Sequence, residues 1–178
     1  MIETIEFETI DSTNETAKRL LSFGRKSSVA IISKKQTNGK GQYGRVWESS
    51  SSDGLYYSLL LKGSRFPKDL SGAENRVIVS NIQNIISLIS GEKTEFKEPN
   101  DIYLDDKKLG GVLIESFPNH KNEYCDAVII GIGLNINQKE FSGELEKKAI
   151  SLYQKTGKIF NKYKFVGLLN EYLSLQFN

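Results

Sequence analysis

Lys40 and Arg45 stand among three glycines in Gly39-Lys40-Gly41-Gln42-Tyr43-Gly44-Arg45-Val46-Trp47. That mixture of residue types suits the holding of an anion. Glycines permit positive φ and bring main-chain N–H groups close to a ligand, while the two cations meet the charge of a phosphate or carboxylate. The same glycine spacing opens a dinucleotide-binding turn, which needs a helix directly after it; here the breaker-rich Glu48-Ser49-Ser50-Ser51-Ser52-Asp53-Gly54 follows. Gly39 to Val46 also matches a kinase glycine-rich loop, but the H-R-D loop of a kinase is missing. The only histidine is His120, within Pro118-Asn119-His120-Lys121-Asn122.

Three further clusters hold residues that packing alone does not require. Asp11-Ser12-Thr13-Asn14 reads as a helix cap, yet carries more polar groups than one cap uses. In Lys97-Glu98-Pro99-Asn100-Asp101, Asn100 and Asp101 are either a turn signal or oxygen ligands for a metal and an adenylate. Lys107-Lys108-Leu109-Gly110-Gly111-Val112-Leu113-Ile114-Glu115 pairs with Gly131-Ile132-Gly133-Leu134-Asn135-Ile136-Asn137. Glycine weakens a strand, so Gly110, Gly111, Gly131 and Gly133 point to a ligand or second backbone pressed on the sheet, or else to a bulge or close strand packing.

The elements that must position these clusters follow from periodicity. Residues 1–10 alternate as a half-buried strand, and the cap cluster precedes a helix with Ala17, Leu20 and Leu21, closed by Gly24. Val29 to Ser33 and Leu55 to Leu61 are strands. Val77 to Ser90 puts Ile78, Ile82, Ile85 and Ile89 on one face of a helix. Short strands follow at Thr94 to Lys97 and Ile102 to Leu104, with a hairpin turn at Asp105-Asp106-Lys107. Two long strands, Leu109 to Ser116 and Cys125 to Gly133, are joined by a polar turn from Phe117 to Asn122. Glu144 to Tyr153 and Tyr163 to Phe177 read as helices.

With 178 residues, 38% hydrophobic and net charge +2 from 24 basic and 22 acidic side chains, the chain suits one globular domain with no global field for nucleic acid. One cysteine, Cys125, excludes an intrachain disulfide, and with one histidine it excludes a zinc site built from several such ligands. The acidic start and the lack of a long apolar run predict a cytoplasmic protein with no membrane partner.

The order S-T-N, Q-x-x-G-[RK]-G-x-x-G-R-x-W-x-S, K-x-P-N-D, K-[KR]-L-x-G-[IV]-L-x-E and G-I-G-x-N-x-N resembles the catalytic domain of biotin protein ligases over roughly residues 4–140. The resemblance implies an α+β fold: a mixed, mainly antiparallel sheet with helices packed on one face, like that of class II aminoacyl-tRNA synthetases. It implies a ligase that joins biotin to ATP as biotinyl-5′-AMP, with Mg2+, and transfers biotin to a lysine of a carboxylase's biotin carboxyl carrier protein. By the same resemblance Ser12, Thr13, Asn14, Gln36, Gly39, Lys40, Gly110, Gly111 and Leu113 bind biotin. Gly41, Gln42, Gly44, Arg45, Trp47, Asn100, Lys108 and Asn135 bind ATP or the adenylate. Lys108, with Lys40 and Arg45, is catalytic, and Asp101 holds the magnesium.

The chain departs from the family pattern at Gln42, where a second cation is usual, and at Glu98, where tryptophan is usual and an acid adds negative charge near the metal. The expected division is a catalytic domain over 1–138 and a helical tail of the same domain over 139–178, with no N-terminal helix-turn-helix and no complete SH3-like C-terminal domain. No DNA partner is expected, and the protein reads as a monomer or weak homodimer. The competing readings are a non-catalytic biotin or adenylate-binding module and a lipoate or octanoate ligase.

Overall fold

A computed structural model of the chain describes residues 2–49, 51–63, 66–67, 72–118 and 123–177. His120 and the tip of the turn before Cys125 lie outside the described residues. The elements in order are β1 (Glu3–Ile10), α1 (Thr13–Ser22), β2 (Val29–Gln36), β3 (Leu55–Lys62), α2 (Ala73–Ser90), β4 (Glu95–Lys97), β5 (Asp101–Leu104), β6 (Lys107–Pro118), β7 (Cys125–Leu134), α3 (Leu145–Lys148), α4 (Leu152–Thr156) and α5 (Lys162–Phe177). They form a seven-stranded sheet in the order β1-β2-β3-β7-β6-β5-β4.

Among the described strands β1 and β2 pair in parallel and the other strand pairs are antiparallel. A parallel pair needs a long crossover, and α1 supplies it. The mixed, mainly antiparallel sheet is as expected. The helices are not confined to one face, however. Ala30, Ile32, Tyr57, Leu59 and Leu61 meet Ile78, Ile82 and Ile85 of α2 and Phe165, Leu169 and Leu173 of α5. Val29, Ile31, Leu60, Ala127 and Ile129 meet Ala17 of α1 on the other side. The strand period of two divides alternate residues between these cores. A strand covered on both faces needs no polar side, which is why β3 reads as nearly unbroken apolar sequence.

The expected helix from Glu144 to Tyr153 is two short helices. Between them Ala149 is extended, at φ −111° and ψ 156°, and bridges to Lys108 in parallel fashion. The Ile150 N–H donates to the Lys108 carbonyl at 3.0 Å, so pairing with a strand edge replaces helical bonds there. Ser151 then restarts the helix with a capping box: its hydroxyl accepts the Gln154 N–H, and the Gln154 side chain accepts the Ser151 N–H. The hairpin after β5 turns on two residues, Asp105 and Asp106, with φ of 49° and 60°. Both values suit the right-handed twist of the strands it joins.

Candidate active site

Ser12, Thr13, Asn14, Gln36, Lys40, Gly41, Gln42, Arg45, Trp47, Asn100, Asp101, Lys108, Gly111 and Leu113 line one cleft on the sheet. They come from the start of α1, the end of β2, the glycine loop, the β4–β5 junction and β6. Gly39, Gly44, Gly110 and Asn135 are not among its lining residues, whereas Tyr56, Tyr57, Val112, Gly131, Ile132 and Gly133 are.

The glycine loop is a small hairpin. Lys40 bridges to Val46, the Gly41 N–H donates to the Arg45 carbonyl at 2.8 Å, and the Trp47 N–H donates to the Gly39 carbonyl at 3.0 Å. At its tip Tyr43 takes a left-handed conformation, φ 56°. A Cβ on Gly39 would meet the Trp47 carbonyl at 2.3 Å, so glycine there serves the crossing of the two arms. Lys40 and Arg45 are exposed, and neither is among the salt bridges formed by the described residues.

Trp47 closes one wall. The strand glycines are answered by side chains. A Cβ on Gly133 would lie 2.5 Å from the Trp47 ring, one on Gly131 would lie 2.1 Å from Asn14 Oδ1, and one on Gly110 would lie 2.4 Å from Leu134. Gly110 therefore serves packing, a correction to its expected place on the cleft. The buried Trp47 Nε1 has no hydrogen-bond partner among the described residues.

Lys108 reaches the cleft through an irregularity that strand alternation does not reveal. The β5–β6 register shifts between Ile102 and Tyr103, so Leu109 and Val112, three apart, both enter the core, and Lys108 falls on the same side as Gly111. A bulge re-aims a side chain in this way. The Lys108 ammonium lies 2.7 Å from Asp101 Oδ1 and 5.5 Å from the centre of the Trp47 ring. Asn100, buried, donates its Nδ2 to the Val112 carbonyl at 2.7 Å and so anchors the residue before Asp101.

Asn135 has its amide committed elsewhere: Nδ2 donates to the Lys108 carbonyl at 3.4 Å, and Oδ1 accepts from Gln138 at 3.2 Å. It supports the backbone of Lys108 and does not face the cleft, contrary to the expectation that it meets adenine. Glu98 forms a 2.6 Å salt bridge with Arg76. The negative charge expected near the metal therefore has a cation beside it.

The polar end of the cleft is tightly bonded. Gln36 Oε1 accepts the Thr13 N–H at 2.8 Å and lies 3.2 Å from Thr13 Oγ1. Gln36 Nε2 donates to Ser49 at 3.1 Å. Asn14 Nδ2 donates to Glu115 at 2.9 Å, which also holds Lys18 at 2.7 Å. Burial, the largest influence on Lys18, pulls its pKa down, but the hydrogen bonds to Glu115 and Glu15 outweigh it and leave the pKa raised. Ser58, fully buried, lies 2.7 Å from Thr13 Oγ1 and 2.5 Å from Asn14 Oδ1. The sequence reading missed Ser58; the signal was a lone serine inside a strand of large apolar and aromatic residues. Burial also pushes the Tyr56 and Tyr57 phenols upward, so both stay neutral.

A mixed sheet thus carries a glycine loop with two exposed cations, a lysine on a bulged strand and a polar pocket beside them. The biotin/lipoate A/B protein ligase family profile matches residues 6–135. The chain belongs to that family.

It is 33% identical over 152 residues to the bifunctional ligase/repressor BirA of Bacillus spizizenii, covering 84% of this chain and 46% of that protein. To BirA of Bacillus subtilis it is 32% identical over 155 residues, 86% of this chain and 47% of that one. The chain thus spans about half the length of these relatives. Among solved structures, the biotin protein ligase from Aquifex aeolicus in complex with biotin and ATP superposes with a TM-score of 0.79 at 33% identity, over 96% of this chain and 68% of that chain.

Proposed function

We propose that this chain activates biotin with ATP to biotinyl-5′-AMP and transfers the biotinyl group to a lysine of a biotin carboxyl carrier protein. The observation that carries the reading is the union in one cleft of Lys40, Arg45 and Lys108 with the polar pocket of Thr13 and Gln36. In the first step a carboxylate oxygen attacks the α-phosphorus, the bond to the β-phosphate oxygen breaks, and pyrophosphate leaves. Two anions must meet, so the protein's task is positioning and cationic neutralisation, which the three cations supply without a general base. In the second step the acceptor amine attacks the mixed-anhydride carbonyl, AMP leaves, and the amine loses a proton. Trp47 and the loop beside it shield the anhydride from water in the interval.

The donor set suits magnesium only as a companion of the triphosphate. Asp101 is the one carboxylate lining the cleft among the described residues, and they contain no group of three or more His, Cys, Asp or Glu side chains placed to hold a metal. That is the usual situation for Mg2+, which takes one or two carboxylates plus substrate phosphates. Bound there, it would neutralise phosphate charge.

A lipoyl or octanoyl chain offers the pocket no partner for Thr13 and Gln36 and would leave their polar atoms desolvated, a cost of about 1 to 3 kcal/mol each. The relatives named as ligases weigh against a mere binding module. The partner in this reading is the carrier domain of a carboxylase. The protein acts as a monomer or weak homodimer, since the free edge of β1 carries charged side chains that resist pairing. The test is pyrophosphate release and adenylate formation on adding biotin, ATP and magnesium. Biotin should support both, and reaction with lipoate or octanoate alone would overturn the assignment.

A further inference from the structure

Behind Thr13 and Gln36 a chain of hydrogen bonds leads away from the cleft to three residues that do not line it: Ser58, Glu115 and Lys18. We propose that these are positioning residues that set the direction of every proton in the chain, so that Thr13 presents its hydroxyl oxygen to the ligand only as an acceptor while Gln36 presents an N–H as a donor. The proposal rests on the biotin reading and deepens it, because it states how the pocket reads a cyclic urea.

The order follows from the inventory of donors. Glu115, a carboxylate held by the Lys18 ammonium at 2.7 Å, can only accept, so the Asn14 amide must turn Nδ2 toward it, at 2.9 Å. Asn14 Oδ1 then points to Ser58 Oγ at 2.5 Å and can only accept, which commits the single Ser58 proton. The 2.7 Å contact between Ser58 and Thr13 must therefore use the Thr13 proton. Gln36 Oε1, 3.2 Å from Thr13 Oγ1, is the other acceptor within reach of that proton; the shorter contact to Ser58 takes it, and the two oxygens are left with no proton between them. A ligand N–H placed over this pair relieves their repulsion. On the other side Ser49 donates to the Trp47 carbonyl at 3.1 Å, so it accepts from Gln36 Nε2 at 3.1 Å. The second Nε2 proton remains for a ligand carbonyl. An N–H beside a C=O is the edge of a ureido ring.

Ser58→Ala removes the oxygen that takes the Thr13 proton. Glu115→Gln lets the Asn14 amide turn either way. In both variants the Thr13 hydroxyl can rotate and donate. The experiment measures binding of biotin, and of the two cyclic carbamate analogues in which one or other ureido N–H is replaced by oxygen, to wild type and both variants by calorimetry, with melting curves as a check on folding. Wild type should bind biotin and bind at least one carbamate about tenfold or more weakly, the scale of one misplaced hydrogen bond. Each folded variant should lose about tenfold in biotin affinity and narrow the gap between biotin and that carbamate. A folded variant that keeps the wild-type ratio overturns the proposal, even if its affinities fall, since loss of packing would weaken all three ligands alike. Failure of wild type to bind biotin at all would instead overturn the functional reading beneath it. The two variants alter different links, so one that does not fold leaves the other to decide.

Discussion

In the proposed reaction Lys108 is the residue on which the chemistry turns. Its ammonium is shared between Asp101 and the face of Trp47, within reach of a carboxylate or phosphate entering the cleft. Lys108→Ala should lower the adenylation rate by about a hundredfold or more, the cost of one electrostatic contact to a transition state. Single-turnover pyrophosphate release with saturating biotin measures it, and a near-normal rate removes Lys108 from the chemical step. Gln42 lines the same cleft where a cation would bind the adenylate more firmly. Gln42→Arg should slow adenylate release about ten- to a hundredfold, the worth of one charge-assisted hydrogen bond of about 1.5 to 3 kcal/mol. The check is the adenylate off-rate together with labelling of a non-cognate protein. If neither changes, Lys40, Arg45 and the loop N–H groups already hold the phosphate. That these residues share one cleft was readable because cations and glycines clustered on the chain. The surroundings of Gly110 and Asn135 were not, because residues distant in sequence, Leu134 for Gly110 and Lys108 for Asn135, take up the space and a hydrogen bond.

At the scale of elements, α1 presents Ser12, Thr13 and Asn14, and its angle is held by an ion pair. Arg19 donates to both Asp11 oxygens, at 2.8 and 2.6 Å. That hydrogen bond, as the largest cause, holds the Asp11 carboxyl down to about 2 from its ordinary 3.8. The folded state therefore favours the ionised form. The stability it contributes is full above pH 4 and is lost as pH falls toward 2. Because the pair is well exposed, with side-chain exposures of 49% and 41%, screening limits it to about 0.5 to 1 kcal/mol. Asp11→Asn should lower the melting temperature slightly at pH 7, and the gap to wild type should close between pH 4 and pH 2. A gap that stays constant with pH would show that the hydrogen-bond geometry and not the charge matters. The cap cluster itself made α1 legible. The break between α3 and α4 did not show, because it is imposed by pairing with Lys108 at the start of β6, far away in the chain.

At the scale of the whole molecule, α5 belongs to the same core as the sheet. Phe165, Leu169 and Leu173 are fully buried with Tyr57 and Ile82, and the Tyr57 hydroxyl donates to Asn170 at 2.9 Å. A cleft residue is thus tied to the last helix. We propose on this basis that residues 139–178 fold as part of the catalytic domain. Leu169→Ala should cost about 2 to 5 kcal/mol, the range for a truncated core leucine. It should shift a single cooperative transition seen alike by far-ultraviolet dichroism and by the fluorescence of Trp47, the only tryptophan. Separate transitions for the two probes would mean that the helical segment is an independent unit.

What the chain determined by itself is local: the strands and helices with clean periods of two and 3.6, the glycine loop with its cations, the cap cluster, and through their order the family. Those signals lie within a few residues of one another, where side-chain type and backbone preference act directly. The tertiary structure decided the rest. It put α1 opposite α2 and α5, slipped the β5–β6 register so that Lys108 faces the cleft, set Asn14 into the space left by Gly131, and joined Ser58 and Glu115 to the pocket. Each of these depends on which distant surfaces exclude water together. No window of sequence contains both partners.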